Sequence, residues 1–254
     1  MTTLSGRVAL VTGASHGTGV DVARDLARAG ARVAVHYRSD RAAGEDVAAA
    51  IRAEGGEAEV FTADVARADD VRRLVAQVRA RLGAPGIVVN NAGPFNDAAF
   101  CDLREADWDY VMNANLKAVY LTAQLVAPDM QAAGWGRIVN IGATSGLVRS
   151  HGVYGLAKAA LLHLTQSLAL ELAPAVTVNA LVPSQIASAR TDGRRWPGAS
   201  TPVRMRSSSC ASSWSWRGTP PLRLSTKSNV VPAKLRDYGP NLSARGKRAL
   251  PRRP

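Results

Sequence analysis

The 254-residue sequence predicts a doubly wound α/β sheet forming a single domain, followed by an irregular basic tail. Three observations predict the sheet. Short runs rich in Val and Ile alternate with longer amphipathic stretches, as in parallel strands covered by helices on both faces. Three helical stretches run into Gly30, Gly55 and Gly83, where a left-handed residue commonly stops a helix. Gly13, Gly17 and Gly19 lie between the first apolar run and the first helix, where glycine makes a poor core and a costly helix, so something other than packing requires it.

The strand-like runs are, in order, "RVALVT", "ARVAVHY", "AEVFTA", "IVVNNAG", "RIVNIG" and "VTVNALV". The helical patterns between them are "VDVARDLARAG", "RAAGEDVAAAIRAEGG", "ADDVRRLVAQVRARLG", a long run over 105–133, and "YGLAKAALLHLTQSLALELAP". This alternation carries the domain over residues 1–189. From Arg190 onward it stops, and Arg, Ser, Pro and Trp crowd a stretch with no sustained period. Two readings of 190–254 stay open. One is a disordered basic tail. The other is an out-of-frame translation, since Trp and Cys are foreign to natural disordered tails.

The net charge of +12 belongs to that tail, which holds 15 of the 32 Lys and Arg and 2 of the 20 Asp and Glu. The 17 basic and 18 acidic residues before it leave a near-neutral domain, which argues against a nucleic-acid binder. No stretch reaches the roughly 20 apolar residues of a membrane span, and the N-terminus lacks the layout of a secretory signal. Cys101 and Cys210 show neither CxxC nor metal-ligand spacing, so no metal is expected and a cytoplasmic location is the expectation.

A glycine-rich bend after a strand and before a helix lets backbone N–H groups approach a diphosphate, while the helix N-terminus supplies a favourable dipole. The spacing here is G-x-x-x-G-x-G, not the G-x-G-x-x-G of the common dinucleotide fingerprint. Taken with "TGASHGTG", "NNAG", "NANL", "YGLAK" and "VNALVPSQI" in that order, the sequence resembles the short-chain dehydrogenase/reductase family over about residues 5–188. The resemblance is to its ketoacyl-reductase-like members. It implies a Rossmann-type sheet and a nicotinamide cofactor held by Gly13, Ser15, His16, Thr18 and Gly19 in the bend. Asn91, Ala92 and Gly93 would border the adenosine, Asp64 and Val65 the adenine, and Pro183 and Ile186 the nicotinamide.

Tyr154 and Lys158 stand one helical turn apart and share a face. Alone, such a pair fits a solvated helix face. The family resemblance makes Tyr154 the proton donor to the carbonyl oxygen and Lys158 the holder of the nicotinamide ribose. A neighbouring ammonium is expected to draw the phenol below its usual pKa of about 10. Asn115 resembles the family asparagine that holds a water in a proton relay; alone it could equally be a satisfied buried amide. Where the family has a serine that polarises the substrate carbonyl, this chain has Ala143, and the interval to Tyr154 is about two residues short. Ser145 shares side-chain parity with Ala143 in an extended chain and is the nominated substitute; the open alternative is that Thr144 and Ser145 are loop residues and the hydroxyl is lost. A lost donor there would lower the rate by about 10²–10³.

The second strand ends "VHYRSDR". Tyr37 stands where an acid would accept the ribose hydroxyls of NAD, and Arg38 and Ser39 suit the 2′-phosphate of NADP. His16 could add a donor, and Asp40 comes late in the run. NADP(H) is therefore preferred, with NAD(H) open. His151, His163 and Cys101 carry no expected role.

The leading function is hydride transfer between a nicotinamide and a small carbonyl or alcohol substrate. The alternative is a cofactor-binding protein with impaired catalysis, favoured by Ala143, by Ser184 replacing a family glycine and by the loss of the family's C-terminal substrate region. Nucleic-acid or membrane-surface binding through the tail rests on charge alone. The resemblance also implies a homo-oligomer and a C-terminal substrate loop, helix and strand. Without these, the sixth strand is expected to be an exposed apolar edge.

Overall fold

The computed structural model describes residues 4–147 and 152–183, together with the backbone of 230–232. The elements are β1 (Val8–Val11), α1 (Thr18–Arg28), β2 (Arg32–Tyr37), α2 (Arg41–Ala53), β3 (Glu57–Thr62), α3 (Ala68–Leu82) and β4 (Pro85–Asn90). They continue as α4 (Glu105–Met112), α5 (Ala118–Ala132), β5 (Gly136–Ile141), α6 (Gly152–Glu171), β6 (Val176–Val182) and β7 (Val230–Pro232). The strands form one parallel sheet in the order β3-β2-β1-β4-β5-β6-β7.

Alternation along each strand divides the core between the two faces of the sheet. Val8 and Leu10 of β1 join Phe61, Leu74, Val88, Val126, Met130 and Ile138 beneath α3 and α5. Ala9 and Val11 face the other way and join Leu26, Val33, Val35, Val47 and Ile51 beneath α1 and α2. A strand covered on both faces needs no polar positions, which is why these runs are almost continuously apolar. Gly30, Gly55 and Gly83 have φ of 96°, 84° and 96°, so the helix stops have the backbone conformation expected of them.

Two features differ from the sequence expectation. The long helical run over 105–133 is two helices joined by a wider turn at Asn113–Lys117, where Ala118 N–H bonds to the Asn113 carbonyl, five residues back. The outer edge of β6 is also not bare. Val230–Pro232, within the irregular tail, adds a parallel strand along Ala180–Val182, because unpaired N–H and C=O groups on β6 can recruit any short extended segment.

The sheet order reverses between β1 and β4. The crevice beyond their C-terminal ends is therefore the topological switch point, where open α/β sheets bind ligands.

Candidate active site

Past β1 the chain turns through Gly13 (φ 64°) and Gly17 (φ 57°), conformations that side chains disfavour. Both polar groups of Gly13 are held. Its N–H donates to His36 Nδ1 at 3.0 Å, and its carbonyl accepts from Asn91 Nδ2 at 3.0 Å. Asn91 Nδ2 also donates to the Thr12 carbonyl, while Thr12 Oγ1 accepts from the N–H groups of Asn91 and Ala92. The bend is thus fixed to the ends of β2 and β4 before any ligand arrives. Gly17 caps α1 without a side-chain hydrogen bond, so among the described residues no capping side chain takes up the amides of that helix N-terminus.

The bend forms one wall of a cleft of about 480 Å³. Gly13, Ser15 and His16 line it with His36, Arg38, Ser39 and Asp40 from the end of β2, and Ala63, Asp64 and Val65 after β3. Asn91, Ala92, Gly93 and Pro94 follow β4, and Tyr110 and Ala114 complete the lining.

Among the described residues assigned to cofactor binding, Thr18, Gly19, Tyr37, Tyr154, Lys158 and Pro183 do not line this cleft. Tyr37 is buried, with its ring against Gly44 of α2, because strand alternation turns its neighbour His36 toward the cleft instead. Gly19 serves close packing, since a methyl group there would strike the Gly13 carbonyl and lie 2.7 Å from Asn91 Nδ2. Thr18 opens α1 without lining the cleft. His16 bridges Ser15 Oγ at 2.9 Å and Asp40 at 3.3 Å, so its ring faces those groups. Asp40 lines the cleft and caps α2 through the Ala43 N–H, and so stands nearer the nucleotide site than its place in the sequence suggested. Arg38 is exposed, with its guanidinium 5.7 Å from the Tyr110 ring centre. Asp64 accepts the Ala66 N–H rather than capping α3, and its own N–H is held by Asp70.

His36 was not singled out from the sequence. Its Nδ1 accepts from Gly13, so Nε2 carries the proton and donates to the Ala63 carbonyl at 3.0 Å. Burial pushes its pKa down to about 4, keeping the ring neutral. The available signal was parity: a polar residue inside a largely apolar strand, two positions before the exposed run that starts at Arg38. Tyr110 was also missed, although it lies one helical turn before Ala114.

Gly93 leads from the cleft to a second cluster. A methyl group on Gly93 would collide with Asn115 Oδ1 and lie 3.4 Å from Lys158 Nζ. Asn115 is buried in the wider turn, and its Nδ2 donates to the Pro94 and Val111 carbonyls at 3.0 Å each. Its Oδ1 is buried without a donor, an acceptor that water or a ligand hydroxyl can fill. Lys158 is buried and donates to the Ile141 carbonyl at 2.7 Å. Desolvation pushes its ammonium down to about 8. Lys158 Nζ lies 5.5 Å from the Tyr154 ring centre. Burial pushes the Tyr154 phenol upward, contrary to the expected lowering. The desolvation cost of a phenolate exceeds the help of an ammonium hydrogen-bonded elsewhere.

Ala143 is extended, but Thr144–Gly146 close a tight turn in which Gly146 N–H bonds to the Ala143 carbonyl. The extended-chain parity that nominated Ser145 therefore does not apply. Ser145 Oγ is nonetheless buried without a hydrogen-bond partner. Pro183 follows β6 and its carbonyl accepts the Thr144 N–H, tying this turn to the end of the sheet. Ile186, Ser184 and His151 lie outside the described residues. His163 and Cys101 are exposed, away from the cleft lining. Among the described residues no helix is long and apolar enough to cross a membrane.

A model of the short chain dehydrogenase family matches residues 7–196. The chain is similar to a 3-oxoacyl-[acyl-carrier-protein] reductase of Synechocystis, with 39% identity over 76% of this chain and 79% of the relative. It is similar to a protein of the same name from Staphylococcus aureus, with 38% identity over 72% and 76%. The fold matches a crystal structure of a gluconate 5-dehydrogenase from Burkholderia cenocepacia in complex with NADP and tartrate. That match has a TM-score of 0.69 and 33% identity over 75% of each chain. With the glycine bend and the NNAG clamp lining one switch-point cleft, and the Tyr154–Lys158 pair in the cluster that Gly93 joins to it, the chain belongs to the short-chain dehydrogenase family of oxidoreductases.

Proposed function

We propose that this chain is an NADP(H)-dependent carbonyl reductase of the cytoplasm, with the nucleotide in the 480 Å³ cleft and the substrate carbonyl at Tyr154. The observation that carries the reading is the convergence of Asn115 and Lys158 on Gly93, the residue that also lines the cleft. A dinucleotide fits the residues present: a preformed bend with glycine-only conformations, an uncapped helix N-terminus, and a buried Asn115 Oδ1 awaiting a donor. When bound, the nicotinamide supplies a hydride to the substrate carbonyl carbon.

The chain's own residues do the rest. The bend amides and the α1 N-terminus hold the diphosphate. Arg38 and Ser39 favour a 2′-phosphate over a bare ribose. Tyr154, kept protonated by burial, gives its phenolic proton to the carbonyl oxygen as negative charge develops there. Lys158 stays fixed by the Ile141 carbonyl, and its remaining N–H donors would hold the nicotinamide ribose beside the phenol. Asn115 Oδ1 orients the water that returns a proton toward Lys158. Ser145, in the turn after Ala143, is the candidate replacement for the hydroxyl that Ala143 lacks, its Oγ being buried without a partner among the described residues.

A second reading, cofactor binding with impaired turnover, is favoured specifically by Ala143. Both are tested by titrating the protein with NADPH and NADH while following nicotinamide fluorescence, then assaying ketone reduction. NADPH is expected to bind at least tenfold tighter than NADH, and Tyr154→Phe to abolish turnover without weakening NADPH. Ser145→Ala should slow turnover, and Ala143→Ser should raise it by about 10²-fold if that donor is missing. Equal affinity for both nucleotides overturns the NADP assignment. Tight NADPH binding with no turnover, even in Ala143→Ser, favours the second reading.

A further inference from the structure

The chain between β4 and α4, over 91–104, carries two large aromatic side chains that keep more than half of their surface exposed. Phe95 is 59% exposed and Phe100 57% exposed, and exposed aromatic surface beside a reactive group is informative in a way that an isolated surface leucine is not. The Phe95 ring meets the Tyr154 ring edge-on, with centroids 5.0 Å apart and planes at 68°. The loop that carries it is anchored on both sides. Asn115 Nδ2 holds the Pro94 carbonyl. Gly152, at the start of α6, approaches the far side so closely that a methyl group would lie 3.0 Å from the Ala98 carbonyl. Pro94 itself lines the nucleotide cleft. A substrate carbonyl within hydrogen-bonding reach of Tyr154 therefore has its substituent beside an apolar ring that is positioned before the substrate arrives.

We propose that Phe95 is the specificity-determining residue, selecting ketones whose carbonyl carries a flat aromatic group over small polyhydroxylated ones. This rests on the reductase reading of Tyr154. A polyol beside Phe95 would lose water to a surface that returns no hydrogen bond. An aryl group buries its own face against the ring and gains the offset or edge-on contact that aromatic pairs favour. Placement of such a group also orients the carbonyl, so the preference belongs in kcat/KM and not in KM alone.

The test uses the full chain with NADPH, and acetophenone and dihydroxyacetone as substrates. The expected ratio of kcat/KM is at least tenfold in favour of acetophenone. Phe95→Ser should lower that ratio at least tenfold, and Phe95→Leu, which keeps bulk but not the ring, should fall between. A ratio near one in the wild type, or one that Phe95→Ser leaves in place, overturns the proposal. A second arm needs no turnover. Benzamide presents an aryl carbonyl that takes no hydride, and its binding to the NADP⁺-loaded protein should weaken at least tenfold in Phe95→Ser. Benzamide binding without reduction of any ketone would overturn the reductase reading and leave Phe95 as an aryl site. Absence of benzamide binding, or equal binding in Phe95→Ser, overturns the Phe95 assignment itself.

Discussion

Burial holds the His36 imidazole at a pKa of about 4, against a nearby Asp64 and the Ala63 carbonyl, which both act in the opposite direction. The unfolded chain takes up a proton at this residue below about pH 6.5, and the folded chain does not until about pH 4. The contribution is therefore complete above pH 6.5 and drains away as pH falls toward 4, by roughly 3 kcal/mol in total. His36→Asn keeps an acceptor near the Gly13 N–H but cannot titrate. Urea unfolding at pH 7 and pH 4.5 should show the wild type losing about 2 kcal/mol more than His36→Asn across that interval. His36→Leu leaves the Gly13 N–H unpaired, at a cost of about 1–3 kcal/mol. The residue had no motif to announce it. Its role became legible once β2 was placed beside β1, with Arg32–Tyr37 running parallel to Val8–Val11 and on toward the glycine bend.

The elements around the site were easier to anticipate than the joints between them. Strand and helix periods recur over several residues and announce themselves, whereas the wider turn at Asn113–Lys117 differs from a continuous helix by one hydrogen-bond step. That step puts Asn115 beside Gly93. The 144–146 turn likewise follows from local bonds to Ala143 and Pro183, and the sequence alone left it indistinguishable from extended chain. A consequence belongs to this scale. In Gly93→Ala the new methyl would collide with Asn115 Oδ1, so the wider turn and the β4 loop must separate. Melting temperature should fall by several degrees, in line with about 1–3 kcal/mol of overpacking. NADPH affinity should fall with it. An unchanged melting curve and an unchanged affinity would show that the two elements are less closely coupled than the geometry implies.

For the whole molecule, the edge of the sheet is the exposed question. β6 carries buried Val176, Val178, Ala180 and Val182 toward the core, while among the described residues its outer backbone edge is paired along Ala180–Val182 by Val230–Pro232. A chain ending at residue 229 lacks that pairing and offers a longer edge to neighbouring molecules. Light scattering at equal concentration should show the shortened chain aggregating faster, with NADPH binding retained, because the cleft is built at the other strand ends. Equal scattering would mean that this strand does not protect β6. NADPH should raise the melting temperature of both chains by mass action.

The sequence by itself determined the alternation of strands and helices, the glycine stops, the glycine-rich bend after β1, and the motif positions that nominate Tyr154, Lys158 and Asn115. Each of these is written in local spacing or in motifs that hold their order along the chain. Only the tertiary structure decided that His36 rather than Tyr37 faces the cleft, that Tyr154 is pushed up rather than down, and that Phe95 lies edge-on against the Tyr154 ring. Those outcomes depend on which groups burial brings together across distant strands and loops, and neither burial nor distance is carried by any one stretch of residues.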